Sequence, residues 1–438
     1  MGMRKSRAVS SRRTIRDFSR FVSRFKARFY ARYRMQIIMR ERGGIRFQDH
    51  KGRSYINCHC NGGVFNLGHQ NPVIRQALEE ALRSGLDIGN HHLISDGRAR
   101  LARELVVSTR SRKSWPPSGL AKCVFGVSGG EAVDLAIKLA RAYSGRDRIV
   151  SLRGGYHGHT GLAVASGDAA YREPFRSALP HFEQIDLEQL EHIEDQLDEN
   201  TAAFILETVP ATLGMPVITE QTMRHVRQVC DQKGVTLILD EIQTGLGRTG
   251  EFWAFQHYGI LPDIMVTGKG LSGGIYPMAA TLFSKKYENI FKGDPFIHIS
   301  TFGGSEVGCA VSLAVLQIIQ SPGFLETVRQ RAQYFAGELQ ALVNTTDGPL
   351  IEVRQLGLFM GLVFSDHYTC LTMLKALLSN GIFTVYANND KRVLQFLPPL
   401  ILSANEAAEI VARLRQSLAD LDSLRYRVLK KTLKVIGA

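Results

Sequence analysis

Short apolar runs alternate with segments of helical periodicity through the middle of the chain. The runs that predict strands lie at 121–127, 148–152, 203–206, 236–239, 264–267 and 278–283. Helical segments fill the gaps between them, as at 131–143 and 220–233. Because strands that are separated by helices pair in parallel and are covered on both faces, the pattern predicts an α/β domain with a mostly parallel sheet.

The pattern changes after about residue 325. A predicted helix over 324–342 leads to two candidate strands, 351–354 and 359–364, and then to further helix. Strands and helices no longer alternate strictly in this region, which is typical of an α+β arrangement. We therefore predict a second, smaller α+β domain at the carboxyl end.

The start of the chain is a basic leader with an amphipathic pattern. Apolar residues between Thr14 and Met39 recur at steps of three and four, which predicts one helix with an apolar face. Residues 1–34 hold twelve Lys or Arg and one Asp, so they carry +11 of the net charge of +13. Three interpretations stay open: packing on the body or on a second subunit, contact with an anionic membrane or another polyanion, and an organelle transit peptide.

Composition excludes several classes of protein. Of 438 residues, 44% are hydrophobic and 22% are charged, which excludes a largely disordered chain. No run of 18 apolar residues occurs, so a membrane-spanning helix is not expected. The six cysteines match neither a disulfide framework nor a zinc site. We predict a cytoplasmic protein, with an organelle matrix or a membrane surface as the alternatives that the leader raises.

Two polar side chains follow successive candidate strands. Asp240 comes directly after 236–239, and Lys269 follows 264–267 between two glycines. The carboxyl ends of parallel strands meet at one edge of a sheet, so both side chains would point into one cleft. A lysine with small neighbours has room to form an imine with an aldehyde cofactor. A partly buried carboxylate needs a partner, and a cationic ring nitrogen would be one.

Two further segments supply the remaining parts of a cofactor site. Ser128, Gly129 and Gly130 lie between a strand and a helix, where backbone N–H groups would hold a phosphate. A plain turn with a serine cap explains this segment equally well when it is taken alone. Tyr156 follows another strand and would supply a ring for stacking. Together, the lysine, the acid, the aromatic ring and the phosphate cradle indicate pyridoxal 5′-phosphate.

The segment 245–250 also matches the glycine pattern of dinucleotide-binding proteins. That pattern should open the first βαβ unit, with an acid about 20 residues later on a second strand. Here it lies past the middle of the chain and follows a strand that already ends in Asp240 and Glu241. We therefore do not predict a dinucleotide site.

Three motifs resemble those of the class III pyridoxal-phosphate aminotransferases of fold type I, and in particular ornithine and acetylornithine aminotransferases. They are DEIQTGLGRTG (240–250), GKGLSGGIYP (268–277) and STFGG (300–304). The resemblance covers about residues 40 to 420. It implies a sheet of the seven-stranded type in a large domain. The implied division of the chain is a leader (1–40), the first part of the small domain (41–75), the large cofactor-binding domain (76–324) and the rest of the small domain (325–438).

The resemblance also implies a role for each matching residue. Lys269 would form the imine and move the proton, and Asp240 would pair with the pyridine nitrogen. Gln243 would bond the ring hydroxyl. The other cofactor-binding positions that it implies are Ser128, Gly129 and Gly130 at the phosphate, Tyr156 and Ile242 on the two ring faces, and His157 and Glu207 near the ring. Thr301 would reach the phosphate in a neighbouring subunit, so a homodimer with shared active sites is implied.

Three departures from the family pattern concern the substrate. His159, Thr212 and Gln395 stand where the ornithine enzymes have an Arg, a Glu and a second Arg. Loss of these charges should weaken recognition of an α-carboxylate. We therefore hypothesise that ornithine is not simply the donor. Candidate replacements for the missing arginines are Arg98, Arg100 and Arg153.

The predicted function is transfer of an amino group to a 2-oxo acid such as 2-oxoglutarate or pyruvate. The donor would be an amino acid, an ω-amino acid or a diamine, and the two half-reactions would proceed in ping-pong order through an imine on Lys269. One alternative is a racemase or aminomutase with the same fold. The other is a binding protein that its leader tethers to a membrane or polyanion. We expect no nucleic-acid partner.

Overall fold

The computed structural model describes residues 10–33, 35–110, 119–345 and 348–435. The strands in these ranges are β1 (Met39–Gly43), β2 (Arg46–Asp49), β3 (Ser54–Asn57), β4 (Leu120–Gly126), β5 (Arg148–Leu152), β6 (Phe182–Ile185), β7 (Thr201–Glu207), β8 (Thr236–Asp240), β9 (Ile264–Thr267), β10 (Ala279–Ser284), β11 (Leu350–Leu356), β12 (Phe359–Phe364), β13 (Ile382–Phe383), β14 (Val385–Tyr386) and β15 (Val393–Phe396). The α-helices are α1 (Ser11–Phe21), α2 (Arg24–Arg32), α3 (Cys60–Gly63), α4 (Pro72–Arg83), α5 (Asp96–Ser108), α6 (Gly129–Ser144), α7 (Gly161–Ser166), α8 (Ala169–Arg172), α9 (Glu220–Lys233), α10 (Glu306–Gln320), α11 (Phe324–Val343), α12 (His367–Ser379), α13 (Ala404–Asp420) and α14 (Leu424–Val435).

The central sheet has seven strands in the order β4-β10-β9-β8-β7-β5-β6. Strands β9, β8, β7, β5 and β6 pair in parallel, and β10 runs antiparallel to both of its neighbours. The prediction of a mostly parallel α/β sheet is therefore confirmed. The edge strand β6 was missed because FEQI has only two apolar residues, which two polar residues separate.

Burial on both faces explains why the strands of this sheet are continuous apolar runs. Every residue of β7, β8 and β9 is buried, as parallel strands covered by helices require. Helix α6 covers one face with a small-residue surface, since Ala132, Ala136 and Ala140 are buried there. Its ends follow ordinary capping rules: Ser128 caps the first turn, and Gly145 ends the helix with a φ of +68°.

Two four-stranded sheets lie outside the central one. The first has the order β1-β2-β3-β13, so strands from near the two ends of the chain share one sheet. The second has the order β11-β12-β15-β14. Both strands predicted after residue 325 are present as β11 and β12, and the predicted long helix is α11. The domain boundaries at 40, 75 and 324 stay a prediction.

The leader differs from the single helix that was expected. Helix α1 ends at Phe21, helix α2 begins at Arg24, and the chain is already extended in β1 from Met39. The break lies at Ser23, whose side chain accepts the Lys26 N–H at 3.1 Å and so starts a new helix. No residue of either helix is buried.

Helices α10 and α11 follow each other closely along the chain, with a break of three residues between them. Among the described residues, no single helix has the length and apolar character to cross a membrane. Helices α10 and α11 pass that test only as a pair, and they bend by 66° at the break between them. Nine residues of α10 are buried against the protein.

Arg248 joins the loop after β8 to the second small sheet. Its guanidinium is fully buried and donates to the carbonyl oxygens of Leu358, at 3.1 Å, and Pro398, at 2.6 Å. It also donates to the side-chain oxygen of Asn66. Burial lowers the pKa of Arg248 to about 10, so the side chain is still a cation at neutral pH. Gly357 permits this close approach, because a Cβ there would lie 2.2 Å from the carbonyl carbon of Thr249.

Candidate active site

A cavity of about 330 Å³ lies at the carboxyl ends of β7, β8 and β9, where α6 begins. Ten of the eleven predicted site residues line it: Ser128, Gly129, Gly130, Tyr156, His157, Glu207, Asp240, Ile242, Gln243 and Lys269. Thr301 does not line it. That residue is exposed in the segment before α10.

Lys269 enters the cavity from the turn after β9. Its backbone has a φ of +39°, which is unusual for a residue with a side chain. Its ammonium donates to Gln243 Oε1 at 2.8 Å. Burial lowers the pKa of Lys269 from its ordinary 10.5, although the charges of Asp240 and Glu207 oppose that shift. The amine is therefore easier to deprotonate than a surface lysine.

Asp240 is oriented by two hydrogen bonds at the end of β8. Its Oδ2 lies 2.9 Å from His157 Nδ1, and its Oδ1 accepts the N–H of Ile242 at 3.0 Å. Both Asp240 and His157 are buried. Burial alone would lower the pKa of His157, but the hydrogen bond and charge of Asp240, together with Glu207, raise it. These contacts fix the orientation of the Asp240 carboxyl group in the cavity.

The amino end of α6 leaves room for an anion. A Cβ at Gly129 would lie 2.7 Å from Cδ1 of Ile242, and one at Gly130 would lie 2.7 Å from Oγ1 of Thr160. Ser128 accepts the Glu131 N–H at 3.3 Å. The N–H groups of the first helical turn have no acceptor within the helix and carry partial positive charge. This position suits a phosphate.

Tyr156 belongs to a cluster of three rings at the mouth of the cavity. Its ring meets His159 edge to face, with centroids 5.3 Å apart, and meets Tyr171 in the same way at 5.4 Å. The rings of His159 and Tyr171 are 5.5 Å apart. The sequence analysis missed Tyr171, because it lies in the short helix α8 and belongs to no recognised motif.

Glu207 lies beside Asp240, its register partner on β8. Its carboxyl accepts N–H groups from Tyr156 at 2.9 Å and Ala211 at 3.2 Å. Burial raises its pKa to about 7, and the nearby charge of Asp240 adds to the rise while His157 and the backbone bonds oppose it. Glu207 therefore holds the backbone beneath Tyr156 and can exchange a proton near neutral pH.

Glu241 has a purely internal set of partners. Four groups donate to its carboxyl: the hydroxyls of Thr208 and Thr244 and the backbone N–H groups of Ala254 and Phe255. Burial raises its pKa to about 7 despite these donors. Glu241 thus anchors the segment that follows Asp240, and it does not line the cavity.

The three positions without the expected charges have neutral partners. Gln395 accepts from Gln243 Nε2 and donates to the carbonyl of Ala211, both at 3.3 Å. Thr212 donates to the carbonyl of Gly154 at 2.8 Å. His159 takes part in the ring cluster. The polar groups of Gln395 and Thr212 are therefore satisfied without an ion pair.

The three arginines considered as replacements lie elsewhere, so that expectation was wrong for this cavity. Arg98 donates to the carbonyls of Asn90 and His91. Arg100 pairs with Asp96, and Arg153 pairs with Asp186. None of the three lines the cavity. Nothing in the sequence marked these partners, because each ion pair is a local surface contact.

The sequence analysis also missed two residues in or next to α3, because they come close to Lys269 only in the folded chain. Gly62 has a φ of +67°, and a Cβ there would lie 3.3 Å from Cε of Lys269. His59 is close enough that the charge of Lys269 helps burial to lower its pKa to about 4. The two positions are some two hundred residues from Lys269 in sequence. Only the fold brings them to the cavity.

The residues present fit pyridoxal 5′-phosphate. A partly accessible amine, a buried carboxylate, a ring cluster and a helix start with two glycines border one cavity. A Cβ at position 129 or 130 would come within 2.7 Å of a neighbouring side-chain atom, and glycine at both positions avoids this contact.

A sequence model of the class III aminotransferases matches residues 29–418. The chain belongs to this family. Class III aminotransferases depend on pyridoxal 5′-phosphate, so the fit of the cavity agrees with the family. An uncharacterised aminotransferase of Archaeoglobus fulgidus is 46% identical over 91% of this chain and 92% of its own length. An acetylornithine aminotransferase of Methanopyrus kandleri is 31% identical over 86% and 92%.

Solved structures confirm the fold expected for this aminotransferase. An ornithine aminotransferase of Toxoplasma gondii superposes with a TM-score of 0.84 at 24% identity, over 94% of this chain and 96% of that one. A taurine:2-oxoglutarate aminotransferase of Bifidobacterium kashiwanohense, solved with PLP and glutamate, also gives 0.84, at 22% identity over 95% and 99%. The α/β fold is therefore that of fold type I.

We expect Glu207 to make the stability of the protein depend on pH. Its pKa near 7, against an ordinary 4.5, means that the stability from its neutral form is lost as the pH rises through 7. The unfolding free energy of Glu207→Gln minus that of wild type should therefore be about 1–3 kcal/mol larger at pH 8 than at pH 5. Urea unfolding at both values measures the change, with the exposed Glu80→Gln as control. An equal difference at both pH values would contradict it.

Proposed function

We propose that this protein transfers an amino group from a primary amine donor to a 2-oxo acid in two half-reactions of ping-pong order. The observation that carries the proposal is the position of Lys269, whose amine has a lowered pKa and lies in the same cavity as Asp240. A cavity of this kind suits proton transfer at carbon, since burial makes the amine easier to deprotonate than that of a surface lysine.

Each residue of the cavity has a proposed task toward the cofactor. When bound, pyridoxal 5′-phosphate supplies an electrophilic carbon and an electron sink. Asp240 would hold a proton on the ring nitrogen, and Gln243 would bond the ring hydroxyl. Gly129 and Gly130 would hold the phosphate through their N–H groups, and Ile242 and Tyr156 would enclose the ring. Lys269 would be displaced by the donor and then carry the proton between donor carbon and cofactor.

The proposed donor is an amine whose recognition does not depend on an α-carboxylate clamp. Gln395 and Thr212 are neutral and satisfied by protein groups, so a carboxylate beside them would gain no ion pair. A putrescine aminotransferase of Pectobacterium atrosepticum is 30% identical over 85% of this chain and 80% of its own length. That relative supports an amine without a carboxylate, whereas the acetylornithine relatives support an amino acid.

Lys269→Ala should abolish transfer. The loss of its nucleophile and base should slow conversion of the bound cofactor by any amine by at least about a thousandfold. The cofactor's visible absorbance, followed after addition of ornithine, acetylornithine, putrescine or alanine without an oxo acid, measures this step. Lys285→Ala, at an exposed position, is the control.

Two outcomes of the same experiment would contradict the proposal. If the wild-type absorbance stays unchanged with every amine while an amino acid is racemised, the isomerase alternative is correct. If Lys269→Ala converts the cofactor as fast as wild type, Lys269 is not the reacting group.

We also propose a homodimer in which Thr301 reaches the phosphate of the partner's cofactor. Thr301 is exposed, and its neighbours Phe296, Ile297, Ile299 and Phe302 are 44–57% exposed. Such a concentration of exposed apolar side chains favours burial against a second copy.

The dimer is tested by its mass and by one substitution. Light scattering should give twice the chain mass of 48.7 kDa. Ile297→Arg should shift the protein toward monomer and weaken cofactor binding together, because a charge would be buried in the interface. Ile351→Arg, at a position of similar exposure on β11, should change neither. A wild-type monomer that binds the cofactor tightly would contradict the shared site.

We further propose that the turn between α1 and α2 touches an anionic membrane surface. Phe21, Val22 and Phe25 are 68–79% exposed, and Arg20 and Arg24 lie beside them. Apolar side chains with flanking cations are typical of segments that insert into the interface of anionic bilayers. This contact would place an otherwise cytoplasmic enzyme at a membrane, and six free thiols support that compartment.

Phe25→Glu should reduce the binding of the protein to phosphatidylserine vesicles by at least about tenfold, since it removes apolar burial and adds repulsion. Sedimentation with vesicles at low and high salt measures the bound fraction. Phe175→Glu, which changes an equally exposed phenylalanine elsewhere, is the control. Binding that is equal to phosphatidylcholine vesicles, or unaffected by salt, would contradict the proposal.

A further inference from the structure

A second cavity of about 810 Å³ adjoins the active site. It lies between the leader helices and the small sheets, and most of its lining is apolar. Representative lining residues are Phe18, Phe29, Tyr33, Leu374, Phe383 and Tyr386. Its volume is within the range of cavities that hold small-molecule ligands.

The boundary between the two cavities is formed by a pair of glutamines. Gln243 lines the first cavity and accepts from Lys269, while Gln395 lines the second and accepts from Gln243. His59 also lines the second cavity, and burial together with the nearby charge of Lys269 lowers its pKa to about 4. The side chains at this boundary, Gln243 and Gln395, are therefore neutral and hydrogen-bonded to each other.

Charge in the second cavity favours one kind of donor over another. Of the described residues that line it, none is acidic, and the cations are Lys375 and Lys391. The Lys375 ammonium donates to the carbonyl of Tyr33 at 3.2 Å. A second ammonium on a donor would find no carboxylate among the described lining residues and would be repelled by Lys391. An apolar chain would bury its surface against the aromatic lining.

We propose that the second cavity binds the apolar tail of the amine donor, so that the enzyme prefers long-chain alkyl or aryl-alkyl monoamines over short amines and diamines. This inference rests on the proposed aminotransferase function. Helices α1 and α2 then have a part in substrate binding, because Phe18, Phe29 and Tyr33 form the outer wall of the tail site.

Alkylamines of graded length test the proposal on the full-length holoenzyme. Stopped-flow absorbance of the cofactor gives the half-saturating concentration and the limiting rate for butylamine, hexylamine and octylamine. Half-saturation should fall about fourfold for each added methylene, with little change in limiting rate. Octylamine should bind at least about tenfold more tightly than 1,8-diaminooctane, which has the same length and a second charge.

One substitution in the wall and one control assign the effect to this cavity. Phe29→Glu should raise the half-saturating concentration of octylamine at least about tenfold, because it puts a carboxylate in the lining. The half-saturating concentration of butylamine should stay unchanged. The ratio between the half-saturating concentrations of 1,8-diaminooctane and octylamine should become smaller. Ala31→Glu adds the same charge on the same helix at an exposed position outside the cavity and should change none of these values.

A binding measurement without chemistry completes the test. Calorimetric titration of the holoenzyme with 1-octanol should show binding with a negative heat-capacity change, and Phe29→Glu should abolish it. A half-saturating concentration that is independent of chain length, or lower for the diamine than for octylamine, would contradict the tail site. Neither result would contradict amino transfer. If no amine of any length alters the cofactor absorbance, the proposed function itself fails.

Discussion

One buried cation determines how the parts of this protein fit together. Arg248 has no carboxylate partner, and its charge is solvated by carbonyl and amide oxygens from three distant segments, among them Leu358 and Pro398. A buried charge is tolerable only with this number of good acceptors, so the segments cannot separate without leaving it unsolvated. The loop that holds Arg248 also follows Asp240 and Gln243. The cation therefore ties the loop that contains Gln243 to the second small sheet, to which Gln395 belongs.

The ionisable side chains of the cavity lie close enough to influence one another. Asp240 Oδ2 lies 2.9 Å from His157 Nδ1, and both side chains are buried and line the cavity. Burial raises the pKa of Glu207 to about 7, and the charges of His157 and Asp240 also influence this pKa. Lysine, histidine and the two acids thus lie within one electrostatic network, in which a proton gained by one group changes the others. A cationic ring placed above Asp240 would complete this network by adding the charge that it lacks.

Much of the site was predictable because its residues follow strand ends. An apolar strand that stops at an acid or a glycine-flanked lysine can be recognised locally, and parallel pairing brings such ends together. Asp240, Lys269 and the start of α6 were found this way. Tertiary neighbours have no such local signal: Gly62 and His59 reach Lys269 only through the fold, and Tyr171 lies in a four-residue helix. The break in the leader was missed because periodicity continues across Ser23, whereas its capping hydrogen bond overrides the pattern.

The parallel pairing of β3 with β13 affects how the chain folds while it is being synthesised. Ile56 has its register partner at Ile382, so the first small sheet is incomplete until most of the chain has left the ribosome. At about 5–20 residues per second, β1–β3 wait for tens of seconds with one edge unpaired. Phe47 and Tyr55, buried in the finished protein, are uncovered during that interval. An open strand edge beside apolar side chains is a template for wrong pairing between chains. The nascent amino-terminal segment therefore exposes apolar side chains and an unpaired strand edge until β13 has been synthesised.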